Sequence, residues 1–345
     1  SNGSGSAADV RASQIKLTPN DGISNGFFGD SVSLSGNTLI VGARGDDDRG
    51  TASGSVYIYN MSDISSASAI LATQKKITAS DGEAVDCFGC YVDVSDNMLV
   101  VGAYGDDDRG SGAGAAYVYN LANGSGSASD IMASERKLLA SDGATGDYFG
   151  IAVAISGNNV VIGAYGDKDY GTMSGSAYVY DLSNGSGSAS DVRASQIKLT
   201  AYDGAEFDAY GYCVAVSGDL VVIGSCYDDD KGANSGSIYV YDLTAANVMD
   251  SVIKLTASDG AMGDNFGCAV DFFGDKMIIG AQGDSDKGYS SGSAYFQSAK
   301  ELMGTTISYN DNGGTGGQSA TKKATFESDM PTPITLPTRT GYDFA

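Results

Sequence analysis

A Phe-Gly or Tyr-Gly pair recurs along the chain, ending at Gly29, Gly89, Gly150, Gly211 and Gly267. The intervals are 60, 61, 61 and 56 residues. A fixed period of this size is the mark of a repeat architecture, in which each unit buries its apolar faces against its neighbours. Any fold assigned to this chain must place the same supersecondary unit five times in a row.

One unit, residues 28–60, carries three strand signals. From Phe28 to Leu34, Val32 and Leu34 alternate with Ser31 and Ser33, as in a strand with one face more buried. After the turn residues Ser-Gly-Asn, the run Leu39-Ile40-Val41 has the character of a strand covered on both faces. Gly54 to Tyr59 alternates again, Val56 and Ile58 against Tyr57 and Tyr59. A fourth strand lies between units, at Ile15–Thr18, Lys76–Thr78, Lys137–Leu139, Ile197–Thr200 and Ile253–Thr256. No window holds a sustained helical apolar stripe. Four antiparallel strands every 60 residues or so predict an all-β chain, a β-propeller of four-stranded blades.

Phe-Gly at the first strand, Val-Gly-Ala or Ile-Gly-Ala closing the second, and Gly-Ser-x-Tyr-Val-Tyr in the third resemble the FG-GAP repeats of integrin alpha-chain propellers, in the variety found in large microbial surface proteins. The resemblance covers roughly residues 8–298, and residues 1–300 are read as the propeller. It implies seven blades, whereas a strand count points to five. Gln14–Thr18 is one fourth-type strand too many at the start, and the last unit, ending at Tyr295-Phe296, lacks one. Pairing between those segments would close five blades with no unpaired edge.

The tail, residues 301–345, departs from the period. Its Tyr-Asn-Asp-Asn-Gly-Gly and Pro-Thr-Arg-Thr-Gly-Tyr-Asp-Phe segments resemble the Listeria–Bacteroides repeat, a small β-grasp-like module of surface adhesins. The aromatic segment that closes that module is missing, so the module is read as incomplete. The opening stretch SNGSGSAADVRASQIKLT nearly repeats residues 183–200, which reads as the middle of a longer polypeptide with any secretion signal upstream.

The acidic excess is large, 43 Asp and Glu against 20 Lys and Arg, a formal net charge of −23. That excludes a nucleic-acid partner, which needs a basic footprint, and favours cations. No apolar run is long enough to span a bilayer. The chain has no His, which removes Ser-His-Asp and Cys-His chemistry. A glycosidase built on two carboxylates stays open, but the acids recur in every unit and no unique pair stands out. The expected catalytic set is therefore empty, with no organic cofactor.

The acids concentrate in the loop after the second strand, where two Asp lie two apart in every unit: Asp46 and Asp48, Asp106 and Asp108, Asp167 and Asp169, Asp228 and Asp230, Asp284 and Asp286. Asp-x-Asp before a Gly offers several oxygens on one turn, the donor set Ca2+ takes. The resemblance places calcium here too, although the further acidic residues of the integrin loop are replaced by small ones. The competing reading is a solvated turn capped by Asp side chains. The middle position varies freely. Asp21, Asp81, Asp142, Asp203 and Asp259 mark turns before each unit, and Asp86, Asp147, Asp208 and Asp264 precede the marker Gly by three.

Other motifs are weaker. Arg44-Gly45-Asp46 is an integrin-ligand tripeptide, but its Gly and Asp belong to the repeat. Asn2, Asn60, Asn123 and Asn184 begin Asn-x-Ser sequons in Ser/Gly-rich linkers read as mobile exposed loops. They are glycan acceptors in a eukaryotic secretory pathway and otherwise plain loop residues. Cys87 and Cys90 bracket Phe88-Gly89, yet without a second pair or any His they read as small buried thiols. The expected function is a binding or adhesion module of a large extracellular, cell-surface protein, with a protein or glycan ligand and calcium-stiffened loops. The alternatives are a structural subunit that self-associates into an extracellular filament or sheath, and a glycan-cleaving propeller.

Overall fold

The computed structural model describes residues 13–184, 188–302, 305–307 and 322–324. Five antiparallel sheets follow one another along the chain. Blade one is β1 (Val32–Ser35), β2 (Thr38–Ala43), β3 (Ser55–Asn60) and β4 (Lys75–Ile77). Blade two is β5 (Val92–Ser95), β6 (Met98–Ala103), β7 (Ala115–Asn120) and β8 (Arg136–Leu138). Blade three is β9 (Ala152–Ser156), β10 (Asn159–Ala164), β11 (Ser176–Asp181) and β12 (Ile197–Leu199). Blade four is β13 (Tyr210–Ser217), β14 (Leu220–Ser225), β15 (Ser237–Asp242) and β16 (Ile253–Leu255). Blade five has three strands: β17 (Phe266–Phe273), β18 (Lys276–Ala281) and β19 (Ser293–Ser298). Each sheet is a meander in strand order, as the repeat predicts for a propeller.

The second strands are covered on both faces, as their apolar runs require. In blade two, Leu99 and Val101 face blade one together with Tyr117 and Tyr119, against Ile40, Val56 and Ile58. Val100 and Val118 face blade three, against Phe149, Val160 and Ile162. The marker Phe is buried and meets its own blade's third-strand tyrosine edge-on, Phe88 to Tyr117 at 5.4 Å and Phe149 to Tyr178 at 5.3 Å, a favoured aromatic geometry. The following Gly supplies a left-handed backbone angle (Gly89 φ 88°) that a side chain would strain. The first strand starts later than the alternation predicts in blades one to three, at Val32, Val92 and Ala152, whereas in blades four and five it runs from the marker residue through a register shift, between Tyr210 and Cys213 and between Phe266 and Ala269.

Four junctions between blades are copies of one another. The marker residue's N–H donates to the preceding blade, Phe88 to Ser53 O (3.0 Å), Phe149 to Ala113 O (3.0 Å), Tyr210 to Ser174 O (3.1 Å) and Phe266 to Ser235 O (2.9 Å). The Gly ending each second strand sits against the next blade's marker Gly: a Cβ on Gly42, Gly102, Gly163 or Gly224 would overlap the carbonyl oxygen of Gly89, Gly150, Gly211 or Gly267. Along the inner strands, Ser31 Oγ accepts from Val92 N (3.0 Å), Ser95 Oγ from Gly157 N (3.1 Å) and Ser156 Oγ from Gly218 N (2.9 Å). The inner strands of all five blades line one axial cavity of about 600 Å³.

Two expectations are corrected. The ring is not closed by the N-terminal strand: Gln14–Thr18 forms no strand, and β19 pairs with β18 alone among the described residues. The segment lies instead against blade one, with Leu17 packed beside the Tyr57–Tyr59 cluster. The linkers are not plain mobile loops either. Three contain short helices, α1 (Ala67–Leu71), α2 (Ala128–Met132) and α3 (Ala189–Ala194), N-capped by Ser66, Ser127 and Ser188. Each buries one apolar residue, Ile70, Ile131 or Val192, which repays the cost of ordering.

Of residues 301–345, the structure describes the end of α4 (Ala299–Leu302) and one antiparallel pair, β20 (Thr305–Ile307) with β21 (Lys322–Ala324). The β-grasp-like module expected there lies mostly outside the described residues, as does Asn2.

Candidate functional site

The Asp-x-Asp loops are built around a lysine from the fourth strand. In blade one, Lys76 Nζ lies 2.9 Å from Asp21, 2.9 Å from Asp46 and 2.8 Å from Asp48. Lys137 meets Asp81, Asp106 and Asp108 at 2.8, 2.7 and 2.7 Å. Lys198 meets Asp142, Asp167 and Asp169 at 2.6, 2.9 and 2.6 Å. Lys254 meets Asp203, Asp228 and Asp230 at 2.8, 2.8 and 2.7 Å. The first tyrosine of the third strand completes each cluster. Tyr57 Oη is 3.0 Å from Asp21 and 2.9 Å from Asp46, donating to their carboxylates, and the ammonium stands 5.3 Å from its ring centre. Tyr117, Tyr178 and Tyr239 repeat the arrangement.

The loop backbone explains the spacing. The first Asp of the pair is buried and caps its own turn, Asp106 Oδ1 accepting from Asp108 N (3.1 Å) and Asp167 Oδ1 from Asp169 N (3.0 Å). Its other oxygen faces the lysine. The middle residue closes the far side: Asp47 accepts from Ala52 N (2.8 Å), Asp107 from Gly112 N (2.7 Å) and Asp229 from Asn234 N (2.7 Å). In blade three Lys168 stands there and donates to Thr145 O instead.

Charge and burial compete in these clusters, and charge wins. Burial pushes Asp21, Asp81, Asp142 and Asp203 up, but the lysine and tyrosine hydrogen bonds outweigh it and hold all four below the ordinary 3.8. Burial pushes the four lysines down, but three carboxylates raise each well above 10.5. Asp86 and Asp208 have no ion pair within salt-bridge distance among the described residues, and Lys137 and Lys254 act on them only from further off. Burial, with Asp106 or Asp228 nearby, lifts both to about 6. Each accepts a backbone N–H, from Glu83 and Ala205.

Asp81, Asp106 and Asp108, and likewise Asp142, Asp167 and Asp169, bring three carboxylate oxygens close enough together to hold one metal ion. The space among the three carboxylates of blades one to four already holds a cation, the ammonium, and Ca2+ needs six to eight oxygens at about 2.3–2.6 Å. Blade five differs. Tyr295 Oη reaches Asp259 (2.9 Å) and Asp284 (3.1 Å), with Asp286 beside them, but no ammonium stands there among the described residues.

A second feature lies where the inner strands begin and the second strands end. Tyrosine rings run from blade to blade: Tyr104 to Tyr148 at 6.2 Å, Tyr148 stacked on Tyr165 at 5.5 Å, Tyr165 to Tyr212 at 5.9 Å, and Tyr212 to Tyr227 at 6.0 Å. All five are half-buried. Tyr91 stands exposed beside them, in a cavity of about 440 Å³. Arg44 ends the row, donating to Tyr104 Oη (3.4 Å), paired with Asp30 (2.8 Å) and lying over the Phe27 ring. The collar was invisible to repeat reasoning because its members break the repeat. Tyr104 and Tyr165 stand where the other units have Arg44, Cys226 and Gln282. That variability was the available signal. The clamp lysines, in contrast, recur in register and were passed over in favour of the acids.

The remaining sequence candidates are scattered. Asp46 of Arg44-Gly45-Asp46 is buried in its clamp. All five cysteines are free thiols; Cys213 and Cys268 line the axial cavity. Asn60 is exposed, whereas Nδ2 of Asn123 and Asn184 donates to Asp130 O and Asp191 O, 2.6 Å each, tying the linker to its helix.

Among the described residues no helix is long and apolar enough to cross a membrane. No curated relative matches the chain. Two computationally designed proteins of known crystal structure match parts of the chain. Ika4 is 16% identical with TM-score 0.35, over 67% of this chain and 98% of that one. Ika8 is 14% identical with TM-score 0.37, over 82% and 73%. The FG-GAP repeat itself matches over residues 12–59, 72–119, 132–180, 194–241 and 250–296, each match running from a fourth-strand position or just before it through the next three strands. More than half of the chain is covered, in phase with the blades, and the chain belongs to the FG-GAP repeat family, whose β-propellers are of the extracellular adhesion type.

Proposed function

We propose that this chain is a non-enzymatic binding module of an extracellular surface and that it engages glycan chains across the tyrosine collar. The observation that carries this is the ring row from Tyr104 to Tyr227, half-exposed and spanning three blades. Tyrosines offer flat apolar faces to sugar rings and hydroxyls to their OH groups at low entropic cost. Asp30 and Arg44 add a charged rim.

A binding role also agrees with the axial acids. Asp93, in the axial cavity, accepts from Ser33 Oγ (2.8 Å), Val94 N (2.9 Å) and Ile155 N (2.8 Å). It thus joins blades one, two and three as a structural acceptor. On this reading each lysine is the permanent counter-ion of its loop, and calcium plays no part in blades one to four. The tail serves as a stalk, and among the described sequons Asn60 is the one most open to a glycan.

Glycan-array screening followed by titration on the intrinsic tyrosine fluorescence tests the collar. Tyr148→Ala and Tyr165→Ala are expected to weaken binding by about tenfold or more each, about 1.4 kcal/mol. Unchanged affinity, or binding to protein ligands only, would overturn the glycan reading.

A further inference from the structure

The two ends of the array are the unmatched halves of the junction that recurs four times inside it. At the far end, Ile278 and Phe296 of blade five are 52% and 67% exposed, whereas their counterparts Val222 and Val240 in blade four are fully buried against the next blade. Gly280 has ordinary room for a side chain, its nearest neighbour 3.5 Å away, unlike Gly42, Gly102, Gly163 and Gly224. Among the described residues β19 has a free edge, and no ammonium reaches the Asp259–Asp284–Asp286 triad.

At the near end, Val32 and Leu34 are 62% exposed, whereas Val92 and Val94 of blade two are 6% exposed against blade one. Ile15-Lys16-Leu17-Thr18 repeats the sequence of Ile197–Thr200 and Ile253–Thr256. It already lies on blade one as a preceding blade's last strand would. Leu17 packs beside Tyr57 and Tyr59 as Ile77 packs beside Tyr117 and Tyr119. Asn20 N donates to Gln74 (3.3 Å) as Ser80 N donates to Glu135 (3.0 Å) and Ser141 N to Gln196 (3.0 Å). Lys16, at the clamp position, is exposed and has no ion pair among the described residues.

We propose that the chain assembles head to tail with copies of itself. Blade five of one copy docks on blade one of the next, whose Ile15–Leu17 adds to β19 as a fourth strand. Lys16 of that copy enters the Asp259–Asp284–Asp286 triad over Tyr295, making a fifth clamp. The contact joins two different faces, so it propagates along one direction rather than stopping at a symmetric dimer. It covers an edge and an apolar face that otherwise stay open to solvent. The proposal is independent of the glycan reading.

Sedimentation velocity of the full chain across the micromolar range tests it. The wild type is expected to form growing oligomers as concentration rises. Lys16→Glu blocks the incoming strand and Phe296→Asp blocks the receiving face. Each is expected to weaken association by at least about tenfold, with thermal unfolding showing that both variants fold. Mixed together, the two variants retain one good end each and give a dimer that does not grow. Tyr148→Ala associates like wild type. A wild type monomeric into the high micromolar range, or blocked variants that oligomerise like wild type, would overturn the proposal.

Discussion

Lys198 is held by three carboxylates, and removing its charge leaves Asp142, Asp167 and Asp169 facing one another. Lys198→Met is expected to cost about 2–3 kcal/mol, because breaking a half-buried charge cluster leaves unpaired carboxylates behind. Lys16→Met, with no triad to leave, is expected to change monomer stability by less than about 0.5 kcal/mol. Urea unfolding of both checks the contrast. If the lysine is the loops' counter-ion, excess EDTA leaves Tm where it was; a drop of several degrees on chelation would restore the calcium reading, since a ligand of the native state stabilises it. The pH dependence follows from the same groups. Asp21, Asp81, Asp142 and Asp203 have folded values below 3.8, so their contribution is present above 3.8 and is lost as pH falls through the lowered values. The clamp lysines have folded values above 10.5, so their contribution is full below 10.5 and is lost as pH rises through the raised values. Asp86 and Asp208 run the other way. With folded values of about 6, they keep a proton that the unfolded chain has lost, so stability falls between about pH 4 and 6 as pH rises. Asp208→Asn, which keeps the acceptor for Ala205 N, is expected to flatten part of that fall in thermal scans from pH 4 to pH 7.

At the level of strands and loops, the glycine that ends each second strand decides how closely blades approach. Gly163→Ala places a methyl on the Gly211 carbonyl and forces blades three and four apart, at an expected cost of about 3 kcal/mol or more. Gly280→Ala, the same change in blade five, meets nothing closer than Ala269 Cβ at 3.5 Å and is expected to lie within about 0.5 kcal/mol of wild type in the monomer. Equal effects in chemical denaturation would contradict the packing described. The sequence made such positions legible because they recur: the period, the second and third strands, and the glycines were all readable from five aligned copies. The linker helices were not. Helices of five or six residues with one buried apolar side chain, such as Ile131 in α2, carry no stripe for periodicity to detect. The acids were read and the lysine among them missed, because a carboxylate pair looks like a metal site until a cation is placed at its centre. The collar was missed for the opposite reason: alignment of repeats highlights what is shared, and Tyr148 stands where other copies have Phe27, Cys87, Ala209 and Asn265.

For the molecule as a whole, stability is close to a sum over neighbouring blades, since each blade touches only the one before and the one after. The outer blades have one neighbour each and should open first; hydrogen exchange is expected to show β6, β10 and β14 protected longest and β1 and β18 least. The repeated junction also has a genetic reading. A closed ring fixes its number of units, because the angles must add up to a full circle. An open arc has no such constraint. Excising residues 138–198, one full period, joins Lys137 to Leu199 and brings the marker Gly211 to the place Gly150 held against Gly102. Both ends are untouched by the cut. Length in this family member is thus a quantity that recombination between its own repeats can raise or lower one blade at a time, with the two end faces inherited unchanged and the tyrosine collar, which this cut strips of Tyr148 and Tyr165, altered each time.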